Sequence, residues 1–290
     1  MSYTIVTDSS CNLPNNLIEE YGLEILSLNY RHDGNEYLSY IPGQEMDYKG
    51  LFDLLRDGTV ITTSLPSPAT TAETLRRLLD AGEDVLYIGF STGLSGTYES
   101  VAGIMDELAG EYPDRKLLHV DTRAAALGEG LLVTYAVRKK REGLSIEELY
   151  DWLMENHFHL CHCFTVDDLH YLVRGGRVSK TAAIAGSILN IKPVMHMDDA
   201  GHLIKVGVVR GRKKSLDALV DHMVESATPP VENQTVYLVH GDCLKDAEYV
   251  ADRIRDRLGV TDFMINYVDL VIGAHTGPGV VALFFMGDKR

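Results

Sequence analysis

Apolar runs of buried-strand length alternate with helical patterns through the first half of the chain. Residues 85–90 are an apolar run of buried-strand length, and Tyr3–Asp8 predicts another short buried strand. A helical pattern follows residue 96, because its apolar residues share one face: Tyr98, Val101, Ala102, Met105 and Leu108. Another strand-like run at 116–121 precedes a predicted helix over 128–141. This alternation predicts a mostly parallel, doubly wound sheet.

The pattern changes near residue 160, where hairpins replace the alternation. Residues 194–197 and 203–209 are β-type runs that flank Asp198-Asp199-Ala200-Gly201, a sequence typical of a hairpin turn. We therefore expect an α/β fold with two domains. The N-terminal α/β domain would cover 1–158 and contain the doubly wound sheet. The C-terminal α/β domain would cover 159–290, with a largely antiparallel or mixed sheet.

A small β insertion is predicted at about 23–45, within the N-terminal domain. Residues 23–29 and 36–41 flank Arg31-His32-Asp33-Gly34. The Asp-Gly pair favours a two-residue hairpin turn. We therefore expect these two runs to pair with each other.

Several sequences carry helix-start signals. Ser67-Pro68 predicts an N-cap followed by proline at the first helical position. Ser145-Ile-Glu-Glu148 and Thr165-Val-Asp-Asp168 both match the capping box, in which the first and fourth side chains bond each other's backbone N–H. The first box predicts a helix to about residue 156, and the second a helix through Leu172. A run of small residues at 179–187 predicts one more helix.

Composition narrows the classes of function. The 290 residues include 27 basic and 42 acidic ones, and the net charge of −15 argues against general affinity for nucleic acid or anionic membranes. No apolar run reaches membrane-spanning length, and the N-terminus does not resemble a signal peptide. The 4 cysteines are too few for a disulfide framework in a chain of this length. We expect a cytoplasmic protein with reduced thiols and no integral membrane association.

The segment Ser91-Thr92-Gly93-Leu94-Ser95-Gly96-Thr97 is the strongest candidate for a binding site. It connects a predicted strand to a helix, and the free backbone N–H groups at a helix start can bind an anion. It lacks the lysine of a P-loop and the spacing of the dinucleotide fingerprint. From the residues alone, a small anion or carboxylate site and a simple capped turn both remain open.

Other polar residues stand at places where ligands gather. Asp8 and Ser9 follow a predicted parallel strand, and ligands bind at the carboxyl ends of such strands. His275 lies in a glycine-rich segment over 273–279 that we interpret as a turn. Hydroxyls and a histidine orient a ligand by hydrogen bonds and suit a carboxylate. Asp8 and Ser9 would equally serve to close a turn.

Ser95, His275, Asp8 and Asp121 also raise the question of a hydrolase triad. Gly-Leu-Ser95-Gly is one residue short of the Gly-x-Ser-x-Gly nucleophile elbow. No paired-carboxylate or magnesium motif is visible in the sequence. The pattern therefore favours ligand binding over catalysis.

His157-Phe-His-Leu-Cys161-His-Cys163 resembles a metal-binding sequence. On a strand, alternate residues would share a face about 7 Å apart. That spacing does not let His157, His159, Cys161 and Cys163 surround one ion tetrahedrally. We therefore predict a strand without a metal.

Eight motifs in order along the chain resemble the DegV family of bacterial fatty-acid-binding proteins. The resemblance covers nearly the whole chain. The motifs are Thr7-Asp8-Ser9-Ser10-Cys11-Asn12-Leu13-Pro14, Thr63-Ser64-Leu65-Pro66-Ser67-Pro68, Ser91-Thr92-Gly93-Leu94-Ser95-Gly96-Thr97-Tyr98, Phe164-Thr165-Val166-Asp167-Asp168-Leu169, Arg174-Gly175-Gly176-Arg177, Leu189-Asn190-Ile191-Lys192-Pro193, Val209-Arg210-Gly211 and Gly273-Ala274-His275-Thr276-Gly277-Pro278-Gly279.

The resemblance implies a two-domain, non-catalytic protein that buries a long-chain fatty acid between its domains. It implies that the protein presents this acid to a separate fatty acid kinase, which makes the acyl phosphate, and that no metal or cofactor takes part. By motif, the carboxylate would be held by Thr63, Ser95, the Gly96 N–H and His275. The periphery of the site would contain Asp8, Ser9, Ser64 and Thr92.

The resemblance also implies that Arg174 and Arg210 dock the kinase. The sequence departs from the family pattern at two positions, with Leu65 where glutamine is frequent and Thr92 where serine is. The first departure removes a polar group near the site, and the second keeps the hydroxyl. Two alternatives remain: a serine-dependent esterase or acyl hydrolase that uses Ser95 and His275, and a binding protein for another apolar carboxylate.

Overall fold

The computed structural model describes residues 2–179 and 190–288. The described strands are β1 (Tyr3–Asp8), β2 (Glu24–Leu26), β3 (Asn29–His32), β4 (Asn35–Leu38), β5 (Thr62–Ser64), β6 (Asp84–Gly89), β7 (Leu117–Asp121), β8 (Leu160–Thr165), β9 (Ile191–Met197), β10 (Leu203–Arg210), β11 (Thr235–His240), β12 (Asp262–Tyr267) and β13 (Val281–Met286). The described α-helices are α1 (Asn15–Tyr21), α2 (Tyr48–Arg56), α3 (Pro68–Asp80), α4 (Thr97–Glu111), α5 (Leu127–Arg141), α6 (Ile146–Asn156), α7 (His170–Arg174), α8 (Arg212–Ser226), α9 (Leu244–Leu258) and α10 (Leu270–Thr276).

The first sheet is parallel and has helices on both faces. Its strand order is β2-β1-β6-β7. Val6 and Tyr87 face α3 and α4, while Ile5 and Ile88 face the opposite side, because alternate strand residues point to opposite faces. Both faces are buried, which explains the apolar run at 85–88 in β6 and the apolar pair Ile5-Val6 in the middle of β1. The predicted doubly wound sheet is confirmed.

The second sheet is mixed. Its order is β10-β9-β8-β13-β11-β12, with β11 and β12 parallel and the other neighbours antiparallel. The predicted hairpin turn after Met197 joins β9 to β10. Helices α8 and α9 cover one face of this sheet. The prediction of an α/β fold with a parallel and a mixed sheet is therefore confirmed.

Helix α5 lies between the two sheets and packs against both. It contacts β6 of the first sheet and β8, β11 and β13 of the second. It is buried on nearly all sides, as a helix enclosed by two layers must be. Gly130 allows the chain near Cys11 to approach closely, since a Cβ at this position would lie 2.3 Å from the Cys11 carbonyl oxygen.

The predicted β insertion is correct for its hairpin and wrong for its first strand. Strands β3 and β4 pair in antiparallel register around the Asp33-Gly34 turn, and β5 adds a third strand. Residues Glu24–Leu26 instead pair in parallel with β1. The reason is burial: Leu26 packs into the apolar core beneath α3, whereas β4 is exposed along its whole length.

The helix-start predictions had different outcomes. The Ser67 cap, the proline after it and the complete Ser145 capping box are confirmed. The Thr165 box is wrong, because Thr165 ends β8 and α7 begins at His170, whose N–H donates to Asp168 Oδ1 at 2.8 Å. Residues His157–His159 form a 3-10 turn, so the strand predicted from 157 begins at Leu160. Of the helix predicted at 179–187, all but Ser179 lies outside the described residues.

Candidate functional site

A largely apolar cavity lies where the carboxyl end of the first sheet faces the second sheet. Its walls come from the turn after β6, the start of α5, one face of β8 and β13, and helix α10. The described residues that line it include Phe90, Leu94, Ala126, Phe164, Leu172, Val239, Ile272, Ala282 and Phe284. The polar side chains on its wall are Thr63, Ser64, Ser95, His162, Arg177, His275 and Thr276. All of these except His162 come from elements that meet at the mouth of the cavity.

Thr63 and His275 are joined across the mouth. Thr63 Oγ1 lies 2.8 Å from His275 Nε2. Strand β5 carries the threonine and the last turn of α10 carries the histidine. The ring also lies against the backbone after α7, where a Cβ on Gly175 would be 2.3 Å from His275 Nδ1. The structure therefore fixes the imidazole from two sides.

The prediction that His275 lies in a turn is wrong, because 270–276 are helical. The Asp269 carboxylate caps this helix and accepts from the N–H groups of Val271 and Ile272, at 3.2 and 2.7 Å. Gly277 ends it with a φ of 72°, a conformation that favours glycine. The helix gives His275 a defined direction into the cavity.

His275 is held in its neutral form at neutral pH. Burial of the ring is the largest cause, and the charges of Arg177 and Arg174 act in the same direction. Together they lower its pKa to about 4. A neutral imidazole has one N–H and one acceptor nitrogen, so it can share a proton with Thr63 or with a ligand oxygen.

Ser95 and Gly96 lie at the start of α4, as the anion-binding interpretation of this segment requires. Ser95 Oγ is 2.9 Å from Thr97 Oγ1 and accepts from the Thr97 N–H at 3.3 Å. Both Ser95 and Gly96 line the cavity. Since α4 is 15 residues long, its first turn presents N–H groups and a positive dipole end to the mouth.

Arg177 also lines the cavity, although the sequence did not mark it as a candidate. Its Nε donates to the Leu94 carbonyl at 3.1 Å and its Nη1 to the Gly175 carbonyl at 2.5 Å. It therefore ties the Ser95 turn to the segment that holds His275. The Arg-Gly-Gly-Arg motif indicated that this segment is functional, but the spacing alone did not show which of its two arginines faces the cavity. Arg174 is exposed and stacks over Tyr171 at 4.9 Å, and Arg210 is exposed at the end of β10.

Of the four peripheral candidates, only Ser64 lines the cavity. Asp8 is buried beneath the site and accepts from Tyr87 OH at 2.8 Å and from the Phe90 N–H at 3.1 Å. Ser9 Oγ accepts from the Leu28 N–H at 2.9 Å. Thr92 Oγ1 donates to Asp121 Oδ2 at 2.6 Å. These three residues position the turns around the cavity and do not face it.

The structure does not assemble the triad considered from the sequence. Among the described residues, the recorded partners of Ser95 and His275 are Thr97 and Thr63, and Asp8 and Asp121 bond to other groups. Arginines rather than a carboxylate lie near His275. The described part of the chain also contains no group of three or more histidine, cysteine or acidic residues able to hold a metal ion. Nor do residues 2–179 and 190–288 contain a helix long and apolar enough to cross a membrane.

Fold and site together define a class: α/β proteins with an apolar cavity between a parallel and a mixed sheet. Comparison with known proteins narrows this class to one family. A family model described as "Uncharacterised protein, DegV family" matches residues 2–288. A DegV domain-containing protein of Clostridium perfringens is 42% identical over 288 residues, which cover 99% of this chain and 98% of the relative. The chain belongs to the DegV family.

Solved structures resemble the whole chain. A DegV family protein from Thermus thermophilus, described by its fatty acid binding, is 29% identical, with a TM-score of 0.87 over 99% of this chain and 100% of that one. A stearic-acid-binding protein from Eubacterium ventriosum is 26% identical, with a TM-score of 0.87 over 98% of both chains. A DegV lipid-binding protein from Thermotoga maritima is 28% identical, with a TM-score of 0.86 over 100% of both.

Proposed function

We propose that this protein binds one long-chain fatty acid in the cavity, with the acyl chain inside and the carboxylate at the mouth. The observation that carries the proposal is the separation of chemistry within the cavity. Apolar side chains form most of the wall, while Thr63, Ser95 and His275 meet at one end. The fatty acids bound by the structural relatives support the same ligand class.

Burial of the chain supplies the affinity. Transfer of the acyl chain from water into the cavity is favourable by roughly 0.8 kcal/mol per methylene. For about 14 methylenes this gives about 11 kcal/mol before the costs of association are subtracted. The mouth then needs only to orient and compensate the carboxylate. The Thr63 and Ser95 hydroxyls, the Gly96 N–H and neutral His275 provide hydrogen bonds, and Arg177 provides the nearby positive charge.

We further propose that the protein is a non-catalytic carrier that presents the carboxylate to a fatty acid kinase. The exposed guanidinium groups of Arg174 and Arg210 are suited to bind an acidic partner surface. The kinase would use ATP to form the acyl phosphate for phospholipid synthesis in the cytoplasm. The carrier itself would need no cofactor.

Lipid extraction tests the binding proposal. The purified protein is denatured and its extract analysed by mass spectrometry; we expect a long-chain fatty acid at close to one per chain. Ser95→Ala should lower ligand retention, while Ser100→Ala, on the same helix but not on the cavity wall, should not. The absence of a fatty acid, together with no uptake of added stearic acid, would overturn the proposal. Recovery of a different apolar carboxylate would favour the other binding function.

The kinase proposal has its own test. Arg174→Ala and Arg210→Ala should slow acyl phosphate formation by an added fatty acid kinase with ATP, with ligand retention unchanged. Arg76→Ala, which alters a surface arginine of α3, is the matched control. If neither variant differs from the control, these residues do not dock the kinase.

A serine-directed fluorophosphonate distinguishes the carrier from an esterase. An esterase would be labelled at Ser95, and the label would be lost in Ser95→Ala. We expect no label, because His275 bonds to Thr63 and the described residues place no base on Ser95 Oγ. Labelling that depends on both Ser95 and His275 would contradict the non-catalytic assignment.

A further inference from the structure

His162 lies in the wall of the cavity, and the carboxylate site does not use it. It stands on β8, in register with Phe284 on β13, and its relative exposure is 1%. Alternate residues of β8 face the cavity, so Phe164 and His162 both line it. A titratable, hydrogen-bonding ring thus faces a space that is otherwise built for an acyl chain.

His162 lies farther than Phe164 from the helix that carries His275: β13 begins shortly after α10 ends at Thr276, and Phe164 pairs with Ala282 whereas His162 pairs with Phe284. Strand β8 ends at Thr165 and leads through α7 to Gly175, which contacts His275. The carboxylate end of the cavity is therefore beyond the carboxyl end of β8. His162 stands three residues before that end, or about 10 Å at the rise of an extended strand. A ligand atom beside His162 would belong to the middle of a long acyl chain.

The surroundings of His162 are apolar and closely fitted. Its ring meets the Phe284 ring edge-on, with centroids 5.4 Å apart and an interplanar angle of 86°. Gly128, in the first turn of α5, leaves room for it: a Cβ there would lie 2.4 Å from His162 Nε2. Among the described residues that line the cavity, the other polar side chains belong to the mouth.

An unsubstituted acyl chain makes poor use of such a ring. Methylene groups neither donate nor accept hydrogen bonds, whereas a hydroxyl or keto oxygen can bond to an imidazole nitrogen. A polar ligand atom that finds no hydrogen-bond partner in an apolar cavity weakens binding. A single hydrogen-bonding side chain in the wall therefore favours ligands that carry a polar atom, and only where that atom lies beside the side chain.

We propose that the cavity takes a long-chain acid that carries a hydroxyl or keto oxygen near the middle of its chain, bonded to His162. This inference rests on the proposed fatty acid binding and deepens it. The mouth holds the carboxylate as before, and His162 acts as a specificity-determining residue. The acid chain passes Phe164 before its oxygen reaches the ring.

Direct binding to the delipidated full-length protein tests the proposal. The probes are stearic acid, hydroxystearic acids with the hydroxyl at mid-chain positions, and a hydroxystearic acid with the hydroxyl near the methyl end. We expect at least one mid-chain isomer to bind about tenfold more tightly than stearic acid, the ratio that one net hydrogen bond supplies. The isomer with the hydroxyl near the methyl end should bind more weakly than stearic acid.

Two variants assign the preference to the ring. His162→Phe keeps an aromatic ring but removes both nitrogens, so the ratio of its affinity for the mid-chain isomer to its affinity for stearic acid should fall to about one or below. His162→Gln keeps a donor and an acceptor and should retain part of the preference, which also covers the case in which the phenylalanine variant does not fold. His170→Phe, which changes an exposed histidine outside the cavity, is the control and should leave both the affinity and the preference in place.

Two outcomes would overturn the proposal: every hydroxy acid binds more weakly than stearic acid, or His162→Phe leaves the ratio unchanged. Failure of the proposed function is distinguishable from both. In that case stearic acid itself does not bind to the wild-type protein, and Ser95→Ala has no effect.

Discussion

Thr63 Oγ1 and His275 Nε2 lie 2.8 Å apart and connect β5 to the last turn of α10 across the mouth of the cavity. This bond positions two proposed ligand-binding groups that are far apart in the sequence. It also leaves the second lone pair of the hydroxyl available to a ligand carboxyl group or to water. Since β5 belongs to the small sheet and β8 and β13 of the second sheet line the wall, a ligand at this pair would contact both of these sheets.

The first prediction concerns the hydroxyl of this pair. Thr63→Val keeps the shape of the side chain but removes its hydrogen bond, so fatty acid binding should weaken about fivefold, as expected for the loss of roughly 1 kcal/mol. The affinity of the delipidated protein for added fatty acid measures this change. Thr62→Val, at the exposed neighbouring position on β5, is the control and should bind like the wild type. Equal affinity of both variants would remove Thr63 from the site.

The second prediction concerns the protonation of His275. Its folded-state pKa of about 4 lies below its ordinary value of 6.5. The unfolded chain therefore binds this proton first, and the stability that the neutral ring contributes is present above pH 6.5 and lost as the pH falls toward 4. The His275→Asn variant has no titrating side chain at this position, so it should not lose this stability as the pH falls. The difference in unfolding free energy between wild type and variant should change within this range and be constant above it.

Chemical denaturation at a series of pH values measures this difference. His170→Gln is the control, because its ring is exposed beside Asp168 and outside the cavity. The assignment fails if the His275→Asn profile parallels that of the wild type from pH 6.5 to 4.

A third prediction concerns Glu129, a fully buried carboxyl group that the sequence analysis did not single out. Thr7 Oγ1 donates to its Oε1 at 3.0 Å, and Ser10 Oγ lies 2.7 Å from its Oε2 and 2.5 Å from Asp8 Oδ1. One hydroxyl proton cannot serve both carboxylates, so a proton on Glu129 completes the network. Burial, with the nearby charge of Asp8, raises the pKa of Glu129 well above its ordinary value of 4.5.

A raised pKa gives the opposite pH dependence. The unfolded chain loses this proton above pH 4.5 while the folded state keeps it, so stability is lost as the pH rises. Glu129→Gln keeps the shape and a donor and cannot ionise. At pH 5 the free energy of unfolding of this variant should lie within about 1 kcal/mol of the wild-type value. At pH 8 the variant should be more stable relative to the wild type than it is at pH 5, as measured by thermal or chemical unfolding. The control is the exposed Glu155→Gln. A loss of about 3 kcal/mol or more at pH 8 would mean that Glu129 is ionised.

The sequence predicted the elements whose signals are local. The Ser145 box and the Ser67 cap depend on residues within one turn, and they formed as expected. The buried strand β6 was visible because both of its faces need apolar residues. A capping pattern that matches by chance, as at Thr165, fails when the sheet takes the residue into a strand.

What the sequence did not predict depends on contacts over long distances. The pairing of β2 with β1 is decided by the burial of Leu26 beneath α3. The inward direction of Arg177 depends on the Leu94 carbonyl, which is remote in the sequence. The helical state of His275 had a local signal in Asp269, but Gly273 and Gly277 made the segment look like a turn. The family motifs predicted Thr63, Ser95 and His275 as carboxylate-binding residues; all three line the same cavity, and their binding role stays a prediction.

The last prediction concerns the contact between the Ser95 turn and the β9–β10 hairpin. Ser91 Oγ donates to the Gly201 carbonyl at 2.9 Å, and a Cβ on Gly93 would lie 2.4 Å from that same oxygen. Gly93→Ala must therefore push the hairpin away from the turn. We expect this variant to lose about 1–3 kcal/mol of stability, as overpacked variants do. It should also release its ligand faster, because Met197 and Leu203, on either side of the hairpin turn, line the cavity. Gly103→Ala, in α4 with open space around it, is the control and should stabilise the protein by up to about 1 kcal/mol. If Gly93→Ala melts and releases its ligand like the wild type, the hairpin does not close this side of the cavity.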